Sequence, residues 1–260
     1  VWNGRPMIQA TLLDITDRKN AEAKQTELLA ELKRANDELT NFAYVVSHDL
    51  TAPLRAIHSL AEWIAEDHAA VLSGEGLENL KLLRARAMRM NSLLEGILQY
   101  SRVGRTVPNP RQIDVEALVA DVVDSLQRPD DYTVEVPPAL PVVTYDQTQL
   151  TQVFQNLIGN AIAHMGKPQG RITVGCDESP DTWTFWVQDT GVGIDPRHFD
   201  RIFAIFQSLR SRDEHEATGI GLSIVKRIAE SNGGSVWVES TLGEGSTFRF
   251  TIPRKLALDS

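Results

Sequence analysis

Two adjacent side chains carry types suited to nucleophilic and proton chemistry: His48 and Asp49, in the stretch Phe42–Leu54, which reads FAYVVSHDLTAPL. A neutral imidazole is nucleophilic near physiological pH, and an acid beside it can orient the ring or take its proton. Five residues after the histidine, Pro53 interrupts an otherwise helical apolar period. Proline inside a helix removes a donor and crowds the carbonyl four residues back, here that of Asp49. The sequence plants a local distortion beside a His-Asp pair. His58, His68, His198 and His215 fall in no comparable pattern and are expected at the surface.

Four further signals lie in the second half. Asn156 and Asn160, in NLIGNA, are four apart and share a helix face. Their amide oxygens suit Mg²⁺ when substrate phosphates complete its shell, and buried or capping amides are the plainer alternative. Asp189-Thr-Gly191-Val-Gly193 closes a strand-like run. Its glycines admit a flat ligand close to the backbone, and its carboxylate can accept from the exocyclic amine of adenine, though a β-turn also fits. Arg201-Ile-Phe203-Ala-Ile-Phe206 precedes the mostly polar run Gln207–Ala217, the pattern of an aromatic anchor beside a hinged lid or of an ordinary loop. Finally, Thr218-Gly219-Ile-Gly221-Leu222 opens a helix, whose N–H groups would suit phosphate. No GK[ST] follows and no strand immediately precedes, so neither a P-loop nor a Rossmann fingerprint is present.

These residues need scaffolds. Residues 1–16 end in a strand-like segment, Met7–Ile15. From Asn20 onward the apolar positions Leu28, Leu32, Ala35, Leu39, Phe42 and Val46 alternate spacings of four and three, the coiled-coil repeat. This helix should run through His48 to about Asp67. Ser73–Gly76 should break it, and a second helix should span Leu77–Val103. Two such helices form half of a four-helix bundle, which a second copy would complete. Gly104–Pro110 is a linker by composition. Strands and helices then alternate: strands at Ile113–Val115, Thr133–Val136, Arg171–Cys176, Thr182–Gln188, Ser235–Glu239 and Ser246–Ile252, with helices at Glu116–Leu126, Asp146–Ala163 and Ile220–Ser231. The expected architecture is α plus α/β: a helical hairpin, then an α/β sandwich with helices on one face of a sheet.

The totals narrow the function classes. A formal net charge of -9 argues against a nucleic-acid footprint. A composition 42% hydrophobic and 23% charged is that of folded domains. With one cysteine, Cys176, no intrachain disulfide can form, and a reducing, cytoplasmic setting fits. No apolar run reaches bilayer length, so no membrane contact is expected here. A start at Val1 reads as a fragment of a longer protein.

Together the four signals resemble the ATP-binding domain shared by sensor histidine kinases, gyrase-type ATPases and heat-shock chaperones. The helical half resembles the dimerisation and phosphoacceptor domain of histidine kinases, and the paired match covers Phe42–Pro253. The SHDLxxPLR wording is similar to phytochrome-like and PAS-linked kinases, and Asp14–Lys19 resembles the exit of a PAS sensor domain. The resemblance implies five regions: the end of a PAS-type domain at 1–16, a signalling coiled coil at 17–45, a dimerisation and histidine phosphotransfer domain at 46–105, a linker at 106–112, and an ATP-binding catalytic domain at 113–255. It implies ATP-dependent autophosphorylation of His48, with Asp49 assisting, then transfer to an Asp on a separate response-regulator receiver domain. It implies Asn160 as the principal Mg²⁺ ligand with Asn156 close by, and Asp189 as adenine reader. His164, Gly191, Gly193, Thr218, Gly219, Gly221 and Leu222 would border the nucleotide, and Phe203 and Phe206 would anchor the lid. A homodimer through the helical domain is implied as well.

Departures from the family pattern are informative. A basic residue is common where Ala163 stands, so a phosphate contact is missing unless Lys167 supplies it. Ala217 replaces a glycine often found before Thr218, implying a stiffer lid. Ala52 occupies the position where phosphatase-competent members carry Thr or Asn, and Thr51 is one residue short, a turn of about 100° on a helix. Weak phosphatase activity is expected. Two other classes stay open: an ATP-driven machine, which would commonly carry a catalytic Glu where Asn156 stands, and a non-catalytic dimeric scaffold with a degenerate nucleotide site.

Overall fold

The structure is a computed structural model describing residues 14, 16–68, 71–104, 109–136, 140–207 and 219–254. The proposed PAS-type exit, apart from Asp14 and Thr16, lies outside the described residues. So do the linker positions 105–108, the run 208–217, His215, Ala217 and Thr218.

Helix α1 spans Thr16–Asp67 and contains Pro53 without an interruption. Thr51 Oγ1 donates to the Ser47 carbonyl at 2.8 Å, a side-chain back-bond two residues before the proline. The chain divides into two units, residues 1–45 and 46–260. In the first, the described side chains other than half-buried Ala43 are exposed, Leu28, Leu29 and Leu32 included.

In the second unit, the rest of α1 is followed by α2, Gly74–Arg102. This helix starts three residues before the expected Leu77. Ser73 is its N-cap, accepting from the Gly76 N–H at 3.2 Å. The two glycines cost little in a first turn whose N–H groups have no intrahelical partner. Arg84 of α2 donates to Glu62 of α1 at 2.5 Å, and Leu54, Ala61 and Ala87 are buried. Ile57, Leu60, Trp63, Ile64, Leu83 and Met90 on the same two helices remain exposed.

The remainder is an α/β sandwich. Its elements are β1 Pro110–Asp114, α3 Val115–Ser125, β2 Tyr132–Glu135, β3 Val142–Asp146, α4 Gln147–His164, β4 Gly170–Glu178, β5 Thr182–Asp189, α5 Gly221–Ser231, β6 Val236–Thr241 and β7 Gly245–Pro253. Strands β1 and β3 pair antiparallel as a small ribbon, and the main sheet runs β2-β4-β5-β7-β6, with only β2-β4 parallel. Two expectations are corrected. Pro110–Gln112, read as linker, belongs to β1, and Val115, read as strand, starts α3 because Asp114 caps it by accepting from the Ala117 N–H at 3.2 Å. Strand β3 is absent from the sequence reading: five residues after Pro141, the last of them the α4 cap Asp146, show too short a pattern to register as a strand.

Period-two alternation along the sheet turns Ile172, Val174, Phe185, Val187, Phe248, Phe250 and Ile252 to one face. Helices α3, α4 and α5 cover that face with Val119, Phe154, Leu157, Ile158 and Ile224. Phe154 meets Phe185 and Phe250 edge-on, at 5.8 and 5.5 Å between centroids, in the aromatic geometry that best satisfies ring quadrupoles. This core fixes α4 against the end of β5.

Candidate functional site

A cavity of about 310 Å³ lies between α4, the end of β5, the start of α5 and β7. Asn156, Asn160 and His164 line it from α4, Asp189 and Gly193 from the β5 end, and Gly219, Gly221 and Leu222 from the start of α5. Asp146 caps α4 by accepting from the Gln149 N–H at 3.0 Å, which sets the register that puts both asparagines on the cavity face. Asn156 donates through Nδ2 to the Gln152 carbonyl at 2.9 Å. Its Oδ1 sits where a Cβ on Gly221 would come within 2.8 Å, so Gly221 is small because Asn156 packs on it. Among the described residues, none donates to or accepts from the Asn160 side-chain amide. No lysine or arginine is among the described residues lining the cavity.

Asp189 is buried, at 8% exposure. Burial pushes its carboxyl up, against the opposing pull of the Gly191 and Ser246 N–H groups and the Lys167 charge. Its Oδ1 accepts from the Gly191 N–H at 2.8 Å. Gly193 has φ +71°, and a Cβ there would lie 2.1 Å from the Thr241 carbonyl oxygen, so both conformation and close approach demand glycine. Gly191 is buried behind Asp189 and is not among the lining residues.

Phe203 and Phe206, paired in the sequence reading, part company. Phe203 is buried edge-on to Phe248, 6.4 Å between centroids. Phe206 is 55% exposed and takes φ +64°, a left-handed conformation unusual for a bulky residue. Its N–H donates to the Gly219 carbonyl at 3.0 Å. Neither ring lines the cavity; Ile202 and Phe248 do. Lys167 also differs from expectation. It donates to the carbonyls of Thr190 at 2.6 Å and Gly243 at 2.9 Å rather than reaching the asparagine end.

His48 and Asp49 do not line the cavity. Their side chains are 75% and 71% exposed, and His48 Nδ1 lies 3.2 Å from Asp49 Oδ1. His68 is exposed, but His58 and His198 are half-buried, each with an Nδ1 that has no hydrogen-bond partner among the described residues. Helix α2 meets the sandwich through α5. A Cβ on Gly96 would lie 2.7 Å from Ile220 Cδ1, Arg227 stacks over Tyr100 at 4.4 Å and donates to the Val103 carbonyl at 3.2 Å, and Gln152 donates to Gln99 at 3.0 Å. Sequence reasoning missed this seat; a glycine facing the partner inside an otherwise good helix was its single trace.

The sandwich and its cavity define a nucleotide-binding ATPase fold, and residues 145–256 match the family described as Histidine kinase-, DNA gyrase B-, and HSP90-like ATPase. Residues 38–106, which carry His48, match the His Kinase A (phospho-acceptor) domain, and with both domains in this order the chain belongs to the histidine kinases. Cyanobacterial phytochrome B of Nostoc sp. is 40% identical over 94% of this chain and 33% of that protein. Phytochrome-like protein Cph1 of Synechocystis sp. is 39% identical over 90% of this chain and 32% of its own length. The chain thus spans about a third of the curated relatives it matches. Among solved structures, full-length ShkA in complex with AMPPNP superposes with a TM-score of 0.62 at 25% identity, over 84% of this chain and 46% of that one. No helix among the described residues is long and apolar enough to cross a membrane.

Proposed function

We propose that this chain is the kinase core of a sensor protein: it binds ATP in the α4–β5–α5 cavity, phosphorylates His48, and passes the phosphoryl group to an Asp of a response-regulator receiver domain. The observation that carries this reading is the conjunction of an exposed His48–Asp49 pair on α1 with a cavity whose wall holds Asn160 and a buried carboxylate, Asp189. The buried carboxylate reads adenine by accepting from its exocyclic amine, a donor guanine lacks there. Leu222 and Ile194 offer apolar faces to the base, and the N–H groups opening α5 face the phosphates. The aromatic Phe203 and Phe206 act beside the cavity as the lid's anchor, and Thr218 is assigned to the nucleotide by the family pattern alone.

The donor set fits Mg²⁺ held jointly with substrate. Asn160 would offer an amide oxygen that no described residue donates to, Asn156 a second, and phosphate oxygens would supply the rest. Bound there, the ion would supply the charge neutralisation that phosphoryl transfer needs and that no lysine or arginine among the described lining residues provides.

At the acceptor, the Nδ1–H of His48 is held by Asp49, which leaves the lone pair on Nε2. Nε2 forms the new N–P bond as the bond from the γ-phosphorus to the bridging oxygen breaks and ADP leaves. Asp49 stabilises the charge that grows on the ring. Because His48 is outside the cavity wall, transfer requires the nucleotide domain to leave its seat on α2. The remaining assignments follow. Residues 17–45 form a signalling coiled coil behind a PAS-type end at 1–16, residues 46–105 dimerise, and 113–255 bind nucleotide in the cytoplasm. The uncovered apolar side chains of α1 and α2 support the dimer. Thr51 spends its hydroxyl on Ser47, and Ala52 brings none, which supports weak phosphatase action on the regulator.

Incubation with γ-labelled ATP tests the reading. Acid-labile, base-stable label on the protein, absent in His48→Gln, is expected. Steady phosphate release without label would instead mark an ATPase, and neither would mark a scaffold.

A further inference from the structure

We propose that Lys167 is a positioning residue for nucleotide recognition: its ammonium ties the strand-end loop after Asp189 to the β6–β7 turn and so fixes the adenine-reading carboxylate. This rests on the assignment of Asp189 as adenine reader.

Lys167 lies in the short connection between α4 and β4. Its Nζ donates to the Thr190 carbonyl at 2.6 Å and to the Gly243 carbonyl at 2.9 Å, bridging two segments far apart in sequence. A cation donating to two carbonyls makes charge-assisted bonds, stronger than neutral ones. The lysine is itself held in place: the Tyr132 hydroxyl donates to its carbonyl at 2.9 Å, tying the connection to β2.

The loop it grips has little other freedom. Gly243 N–H donates to Val192 O at 2.7 Å, and Ile194 N–H donates to Ser240 Oγ at 2.8 Å. A Cβ on Gly245 would lie 2.0 Å from the Asp189 carbonyl oxygen, so the turn presses directly on the residue that reads the base. Lys167 closes this set from the third side. Its charge also opposes the effect of burial on the Asp189 carboxyl, favouring the ionised form that accepts from an amine. The lysine therefore serves the base end of the cavity, although its position just past Ala163 suggests a phosphate contact.

Titration calorimetry of the full chain with ADP and GDP in the presence of Mg²⁺ tests this. Lys167→Met should weaken ADP about tenfold, the scale of a charge-assisted bond pair, and leave GDP unchanged, shrinking the preference for adenine by the same factor. Lys167→Arg should recover much of the preference, since a guanidinium can also donate to two carbonyls. The milder Tyr132→Phe should move the ratio in the same direction by less. A Lys167→Met chain that discriminates ADP from GDP as the parent does overturns the proposal. So does an equal loss of both nucleotides, which would mark a general structural role or a phosphate contact. A parent chain that binds ADP no better than GDP overturns the adenine-reader assignment itself, and the role of Lys167 with it.

Discussion

His48 Nδ1 and Asp49 Oδ1 sit 3.2 Å apart on an exposed stretch of α1, so the ring proposed as phosphoacceptor has one nitrogen engaged and, among the described residues, one without a partner. Asp49→Asn keeps the shape but removes the charge that stabilises a growing imidazolium. General acid–base and orienting partners contribute about 10²–10⁴-fold. The initial rate of labelling should fall by about that much while ADP affinity holds. A variant that labels at the parent rate would remove Asp49 from the mechanism.

Asp189 gives a pH dependence with a definite sign. Its folded carboxyl is held above the ordinary aspartate value by burial, so the folded chain takes up a proton as pH falls through the raised value. The cost of burying the charge is fully present above that value and relieved below it, so nucleotide-free stability from this group rises on acidification. With Asp189 as the proposed adenine reader, recognition needs the ionised form and is lost over the same interval. Calorimetric ADP affinity should therefore drop on acidification as this contribution to thermal stability moves the other way. Asp189→Asn should flatten the profile and weaken ADP about 10–100-fold, the scale of a hydrogen bond to a charged group.

Phe206 holds φ +64° while more than half exposed, so its ring contributes little burial to set against its backbone strain. A non-glycine residue there carries about 1–2 kcal/mol of steric cost. Phe206→Gly should leave the unfolding midpoint within about 2–4 °C of the parent, or raise it, despite the loss of an aromatic side chain. Phe206→Val, β-branched at the same φ, should lower it. Equal destabilisation by both would show that the ring, and not the backbone, sets the stability at this position.

At Gly96, helix propensity and packing oppose each other. Alanine would gain about 1 kcal/mol in an isolated helix. Here a Cβ meets Ile220 at 2.7 Å, and a leucine would displace it. Gly96→Leu should release α5 from α2, seen as faster hydrogen exchange at Gln99–Arg102, with ADP binding retained. Unchanged protection would mean that the seat adapts.

Local signals were legible in the sequence because they are periodic or short-range. Asn156 and Asn160 share a face by helix spacing alone, and Gly193 is demanded by a turn the chain itself makes. What escaped depends on contacts remote in sequence. Strand β3 is recognisable only through its pairing with β1, Lys167 takes its partners from residues 190 and 243, and Gly221 is small because of Asn156. The two phenylalanines looked alike as letters. The core, through Phe248, took one and left the other exposed.

Cys176 offers an experimental convenience. It is the sole cysteine of the sequence, half-covered on β4, and burial with the neighbouring Asp177 and Glu178 charges pushes its thiol up to about 12. At neutral pH almost none is thiolate, the form that reacts. Slow labelling of Cys176 by maleimides and spin labels is the expected outcome, checked by reacting the parent sequence before any probe is added. Probes installed in pairs on α2 and α5 would report the separation of those helices against a clean background, nucleotide by nucleotide.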